Sequence, residues 1–312
     1  STLSLNQSKI DISFYDISID INFESNTING SVGVNGFIDN NLPEYIELDF
    51  YNNMEVNSIL QNNGQVSFLH EQNKIKIPIN NIIIQGDNYF SILIKYQGTP
   101  QDCGAGGFKF DEHLGVDHVW TLSEAYCARS WWPSKDDPSD KADSVYVRVT
   151  VPANPNFIVA SNGLLDSITN DGDKNTFFWK EKYPITTYLV SLAIYPYTIW
   201  SEQYISSISN DTMAIEHYVF PDRYESSFSN YSLTGEMISF FSGLFGEYPF
   251  INEKYGLRGI ALRTLEQASA SVLFATAAPD HQKQEIPEWQ SIMQIIADHS
   301  QKKYQQLVHD TP

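Results

Sequence analysis

From about residue 10 to about residue 197, apolar and polar side chains largely exchange at every second position, the period of a strand buried on one face. Phe14, Ile17, Ile19, Ile21 and Phe23 form one such series. Asn29-Gly30 then turns the chain into Val32, Val34 and Phe37, which predicts a hairpin. Further short strands are predicted over 45–50, 74–79, 89–96, 145–151, 157–162, 176–180 and 189–195. They are separated by turn formers at Gly64, Gly86-Asp87, Pro152, Asn162-Gly163 and Asp171-Gly172. The helical spans that would alternate with strands in a parallel sheet are missing, so the expected fold is mainly β, an antiparallel saddle-like β-sandwich.

The pattern changes after residue 200. A serine-rich stretch to about residue 209 and one strand over 214–220 come before a helical period between 224 and 245. There Met237, Phe240, Phe241, Leu244 and Phe245 recur at helical spacing, and Gly246 and Pro249 end the run. A last helix is predicted over 287–308, with Pro287 in its first turn and Trp289, Ile292, Met293 and Ile296 on one face. The expected organisation is a β-domain over 1–200 and a partial α+β segment over 201–312.

The 312 residues suffice for about two domains with a sizeable core. The formal net charge is -19, spread along the chain, which excludes nucleic acid and anionic membrane as natural partners. No window has the ~18 uninterrupted apolar residues of a membrane span, and no signal-peptide pattern opens the sequence. Cys103 and Cys127 either pair or remain two free thiols. An acidic, hydroxyl-rich surface leans the expected location outside the cytoplasm, periplasmic or secreted. His113 and His118 lie between the cysteines at spacings that match no common zinc cage. Neither a G-x-S-x-G frame nor a phosphate-cradling glycine loop occurs.

The densest motif runs from Trp120 to Ala142. In order, Thr121-Leu122-Ser123-Glu124-Ala125, Ala128-Arg129, Trp132-Pro133, Asp136-Asp137-Pro138 and Lys141-Ala142 resemble the signature of the aminopeptidase N family of zinc metallopeptidases, gluzincins of the hydrolase class. Tyr15-Asp16-Ile17, Ala160-Ser161-Asn162-Gly163 and Leu189-Val190-Ser191-Leu192-Ala193 are similar to other strands of that family's N-terminal β-domain. Glu216-His217-Tyr218-Val219 and the stretch from Phe245 to Gly256 resemble the entrance to its catalytic domain. The resemblance thus runs from about residue 10 to residue 256. It implies a β-saddle followed by the start of a thermolysin-like domain, and a family reaction in which one zinc ion serves removal of N-terminal amino acids from peptides.

On this resemblance Glu124 is the side chain that binds the substrate's free α-ammonium, a task suited to a carboxylate through a charge-assisted hydrogen bond. Glu266, in Arg263-Thr264-Leu265-Glu266-Gln267-Ala268-Ser269, is the one remnant of the family's substrate-gripping strand. The zinc motif H-E-x-x-H, two histidines on one helical face with a glutamate base between them, is absent from the sequence. At the expected place stands His299, followed by Lys302 and Lys303. The chain is therefore expected to bind no metal and to have no catalytic residue of its own, while peptides with a free N-terminus remain its candidate partners. The competing reading is a non-catalytic peptide- or protein-binding module on the same β-domain. Arg129 is expected to pair with Asp136 or Asp137 and pin the loop after Trp131-Trp132. Glu216 and His217 are adjacent on a strand and face opposite ways, so they cannot act together.

Overall fold

The computed structural model describes residues 3–104 and 106–258, all within one compact unit spanning Ser1–Ala261. The helix predicted over 287–308, and with it Glu266 and His299, lies outside the described residues.

The alternating pattern folds into stacked sheets, as expected of a mainly β chain. The largest sheet has eight strands in the order Leu164–Asn170, Lys174–Glu181, Ser144–Pro152, Ile10–Asn22, Thr27–Ile38, Tyr89–Gly98, Glu55–Gln61 and Gly64–Val66. A five-stranded sheet is built from Ile158–Ser161, Leu192–Tyr195, Val116–Leu122, Gly106–His113 and Asp102–Cys103. Tyr45–Asp49, Lys74–Pro78 and Leu69–Glu71 form a smaller sheet. Inward-facing residues of these sheets, among them Ile17, Ile19, Val32, Val34, Ile94, Val147, Val149, Phe157 and Trp179, make one continuous core. Burying a side chain of this kind contributes about 1.5–3 kcal/mol, which is why the alternation alone marks the strands.

The first hairpin forms, but its turn is not at Asn29-Gly30. The strand Thr27–Ile38 begins earlier, and Gly30 pairs with Ile19 inside the ladder. The turn falls at Phe23, Glu24, Ser25 and Asn26, with Asn26 at φ 52°. Gly30 is needed for another reason: a Cβ there would fall inside the ring of Tyr96, which is fully buried over it. Close approach of a neighbouring side chain, and not a turn, accounts for this glycine.

Among the described residues two strand pairings are parallel and the others antiparallel. Ile10–Asn22 runs parallel to Ser144–Pro152, and Lys254–Arg258 parallel to Thr212–Val219. Parallel neighbours require a long crossover, so local turn signals carry no trace of them.

Beyond residue 197 the structure differs from the expectation in three places. Thr198–Ile205 is a strand, paired along its length with Thr212–Val219, where a serine-rich break was expected. The run between 224 and 245 is two helices, α1 (Tyr224–Tyr231) and α2 (Thr234–Phe245), broken at Ser232 and Leu233. α2 buries Thr234, Ile238 and Ser242, while Met237, Phe240 and Leu244 of the apolar stripe are exposed. Helical period was correctly read, but the buried face is the narrower, more polar one that meets Tyr204, Met213 and Ile215 of the sheet.

The signature loop is clamped by charge. Arg129 donates from Nε to Asp136 Oδ2 at 2.8 Å and from an Nη to the Asp136 carbonyl at 2.9 Å. Its other Nη lies 3.3 Å from Asp49 Oδ1. Asp49 in turn accepts from the Asp136 backbone N–H at 3.1 Å and from Gln7 Nε2 at 2.7 Å, and Thr187 Oγ1 donates to Asp136 at 2.9 Å. Asp136 is the partner of the expected pair. Asp137 bonds Ser139 instead. Burial works against the guanidinium charge, but Asp49 and Asp136 outweigh it and raise the Arg129 pKa. Burial also lifts the Asp136 carboxyl above its usual range, opposed by the bonds from Arg129 and Thr187.

Removing one member of such a set strands the others without a counter-charge. Arg129→Met is expected to lower stability by about 3–5 kcal/mol, read as a fall in urea midpoint at unchanged m-value. The exposed pair Lys180 and Asp166 provides the control, with Lys180→Met costing at most about 1 kcal/mol.

Candidate functional site

The loop after the strand Val116–Leu122 carries the residue singled out by the sequence, and its backbone is held from several sides. The Cys127 N–H donates to the Ser123 carbonyl at 3.0 Å, closing a turn around Glu124, Ala125 and Tyr126. The Trp131 indole N–H donates to Ser123 Oγ at 3.1 Å, and Ser130 Oγ to the Cys127 carbonyl at 2.7 Å. Trp131 and Trp132 are fully buried, with Trp132 edge-on to Tyr15 at 4.7 Å and Trp131 against Phe108 at 5.7 Å. Rings of this size supply most of the area that anchors the loop. Cys103 and Cys127 form a disulfide, so the pairing left open above is made, and it ties the loop to the edge of the five-stranded sheet.

Against this rigid base Glu124 projects into solvent. No described residue hydrogen-bonds or ion-pairs with its carboxylate, and its neighbours Leu122 and Tyr126 are exposed apolar side chains. A fixed, unpaired carboxylate between two apolar groups can accept an ammonium group while its neighbours cover the adjoining chain. Glu266 lies outside the described residues.

His118, His113 and His217, among the described histidines, are engaged elsewhere. His118 is buried, bonds Tyr197 Oη through Nε2 at 3.0 Å, and is held at a pKa of about 4 by burial, hence neutral. His113 stacks on Phe220 at 3.9 Å and meets Asp222 at 2.8 Å. His217 stacks on Trp200 at 4.3 Å and bonds Glu202 at 2.9 Å, and burial lowers its pKa against the pull of that carboxylate. Glu216 points away and accepts from Tyr218 Oη at 2.6 Å, so the two neighbours do not act together. Among the described residues no group of three His, Cys, Asp or Glu side chains is arranged to hold a metal ion. The donors present do not fit a catalytic zinc, which needs three ligands and an open position.

Sequence reasoning missed Asp49, Lys135 and the pair Glu181 and Glu253. Lys135 is buried, donating from Nζ to the Ile10 carbonyl at 2.5 Å and reaching Asp140 at 3.1 Å. A signal existed for Asp49: it alternates with Glu47 along a strand rich in apolar residues, and Lys74 lies opposite in register.

Fold and loop together define a β-saddle that presents one carboxylate from a stapled loop. The chain belongs to the peptidase M1 family, whose N-terminal domain model matches residues 12–189, more than half of the chain. It is 26% identical over 199 residues to leucine aminopeptidase 2 of Candida glabrata, covering 62% of this chain and 29% of that protein. The fold is shared with the M1 zinc metallopeptidase of Deinococcus radiodurans at a TM-score of 0.72 and 23% identity, covering 84% of this chain and 59% of that one. A variant of that enzyme bound to a Tyr-Ser-Ala substrate superposes at a TM-score of 0.69 and 24% identity, with the same shares covered. This chain thus spans under a third of the curated relative and about three fifths of the solved one.

A second family meets the chain at its other end. The phosphoenolpyruvate carboxylase model matches residues 246–312, and a 62-residue stretch is 40% identical to phosphoenolpyruvate carboxylase of Acinetobacter baumannii, covering 20% of this chain and 7% of that protein. Within that stretch, Lys254–Arg258 completes the sheet begun by Thr198–Ile205 and Thr212–Val219.

The disulfide closes a loop with a sequence separation of 24. Replacing both Cys103 and Cys127 by Ser is expected to cost about 3 kcal/mol, read by thermal unfolding. Proteolysis within 123–127 should become faster in the same variant.

Proposed function

We propose that this chain is an M1-type β-domain with the opening of a catalytic domain, reaching to about residue 258, and that it does not hydrolyse peptides by the family's zinc mechanism. The observation that carries this reading is the absence of H-E-x-x-H from all 312 residues, at a place where the sequence turns to resemble a different enzyme. Residues 201–258 then correspond to the start of the catalytic domain, and the remainder to a phosphoenolpyruvate carboxylase-like stretch joined in frame. Neither relative is represented by more than part of its length. No metal is expected to bind, since the donors described above are spoken for by Tyr197, Asp222 and Glu202.

What remains is a capacity to bind. The exposed Glu124 carboxylate, on a loop fixed by the disulfide and by Arg129, favours peptides with a free N-terminus as partners. The net charge of -19 speaks against nucleic acid. Among the described residues no helix is long and apolar enough to cross a membrane. The disulfide supports a place in an oxidising compartment outside the cytoplasm.

Two measurements test this reading. Elemental analysis of the purified chain is expected to return no stoichiometric zinc, and an amino-acyl anilide no chromophore release above buffer; one zinc per chain with turnover would overturn it. For binding, calorimetry with a tripeptide is expected to lose about 1.5–3 kcal/mol of affinity on Glu124→Gln, or on acetylating the peptide's amino group. Equal affinity in all three cases removes Glu124 from the role.

A further inference from the structure

Two carboxyl groups are buried together where the end of the strand Lys174–Glu181 meets the turn that leads into Lys254–Arg258. Glu181 is 7% exposed and Glu253 9%. Lys182 N–H donates to Glu253 Oε1 at 2.8 Å, and Tyr183 N–H donates to Glu181 Oε1 at 2.9 Å. Adjacent backbone donors thus hold the two carboxyls side by side.

The other ionisable groups facing the pair do not neutralise it fully. Lys254, on the following strand, donates from Nζ to the Ser161 carbonyl at 2.8 Å and lies 4.7 Å over the Trp179 ring; its charge lowers the Glu181 pKa only in part. Tyr248 and Tyr255 also face this place, and burial raises both phenols, so they stay uncharged. The same turn is attached to the strand end by Phe250, edge-on to Tyr183 at 5.1 Å, and by Asn252 Nδ2, which donates to Tyr183 Oη at 3.0 Å. Two like charges held on adjacent backbone donors, away from water, repel strongly, and a single proton shared between them converts repulsion into a hydrogen bond.

We propose that Glu181 and Glu253 form a proton-sharing latch, which holds the turn at 248–253 against the end of the β-sandwich strand while one proton is bound and releases it when both ionise.

Burial first, then the hydrogen bond with Glu253 and its charge, raise the Glu181 pKa from its ordinary 4.5 to about 8. In the released turn the proton is held with ordinary affinity. The latch is therefore fully closed below about pH 4.5 and loses strength as pH rises, by up to about tenfold per pH unit until about pH 8. Above that value both states are ionised and no further loss occurs. The M1-like part of the chain would thus loosen, across neutral pH, at the point where it leaves the β-domain.

Hydrogen exchange on the intact chain tests this, with amide rates at 250–256 corrected for the intrinsic effect of pH. Between pH 5.5 and 7.5 protection of these amides is expected to fall more than tenfold. Glu181→Gln and Glu253→Gln place an amide where the shared proton was, and each should keep protection high at both pH values. Glu247→Gln, on the same turn but bonded to Ser206 and Ser209, should retain the fall. Should one of the two latch variants fail to fold, the other carries the comparison. Protection that does not fall in the unaltered chain, or a fall that persists in the latch variants, overturns the proposal.

Discussion

The guanidinium of Arg129 is the point on which the β-domain converges. It binds Asp136 through side chain and backbone and reaches Asp49, and these carboxylates gather Gln7, Lys74 and Thr187. Segments that start the chain, lie in the small sheet, carry the signature and follow the strand Lys174–Glu181 are thereby fixed to one another. A buried ionic set of this kind adds little net stability compared with an apolar core of equal volume. Its consequence is geometric: only one arrangement pairs every charge, and that arrangement places Trp131 and Trp132 in the core.

Rigidity on the inner side of the signature loop is what permits display on its outer side. Glu124 is reached within a few residues of the clamp, just before the disulfide-bonded Cys127 and the short 3-10 helix at Ala128–Ser130 that follows it, and its carboxylate is left unpaired by the described residues. Loops that act are usually carried this way, with mobility removed from the backbone so that a side chain meets its ligand at small entropic cost. Here the display survives in a chain whose sequence departs from the family before any metal-binding motif.

The region after residue 197 shows how far a periodic pattern reaches. The helical spacing of Met237, Phe240 and Leu244 was legible, and a helix is there, but these residues face outward. Periodicity identifies an amphipathic stripe without stating what covers it, and in α2 the sheet takes the side of Ile238 instead. Gly30 makes the same point in a strand: Asn-Gly is a strong turn signal, yet the chain runs straight through it because Tyr96 needs the space. The Cys103–Cys127 bridge stayed undecided for a related reason, since two cysteines in one sequence are equally consistent with thiols until their strands are placed.

By itself the sequence determined the strand-rich nature of the chain, most strand positions, its kinship with the peptidase family, the pairing of Arg129 with one of the two neighbouring aspartates Asp136 and Asp137, and the lack of a zinc motif. All of these are local: alternation, turn residues, ordered short motifs and a pair seven residues apart. Tertiary structure alone decided that Asp49 joins Arg129, that Ile10–Asn22 lies parallel to Ser144–Pro152, and that Glu181 meets Glu253. Those partners are brought together by sheet register and by crossovers. The free energy that selects them comes from burying a whole set of charges and rings at once, a quantity that no window of neighbouring residues contains.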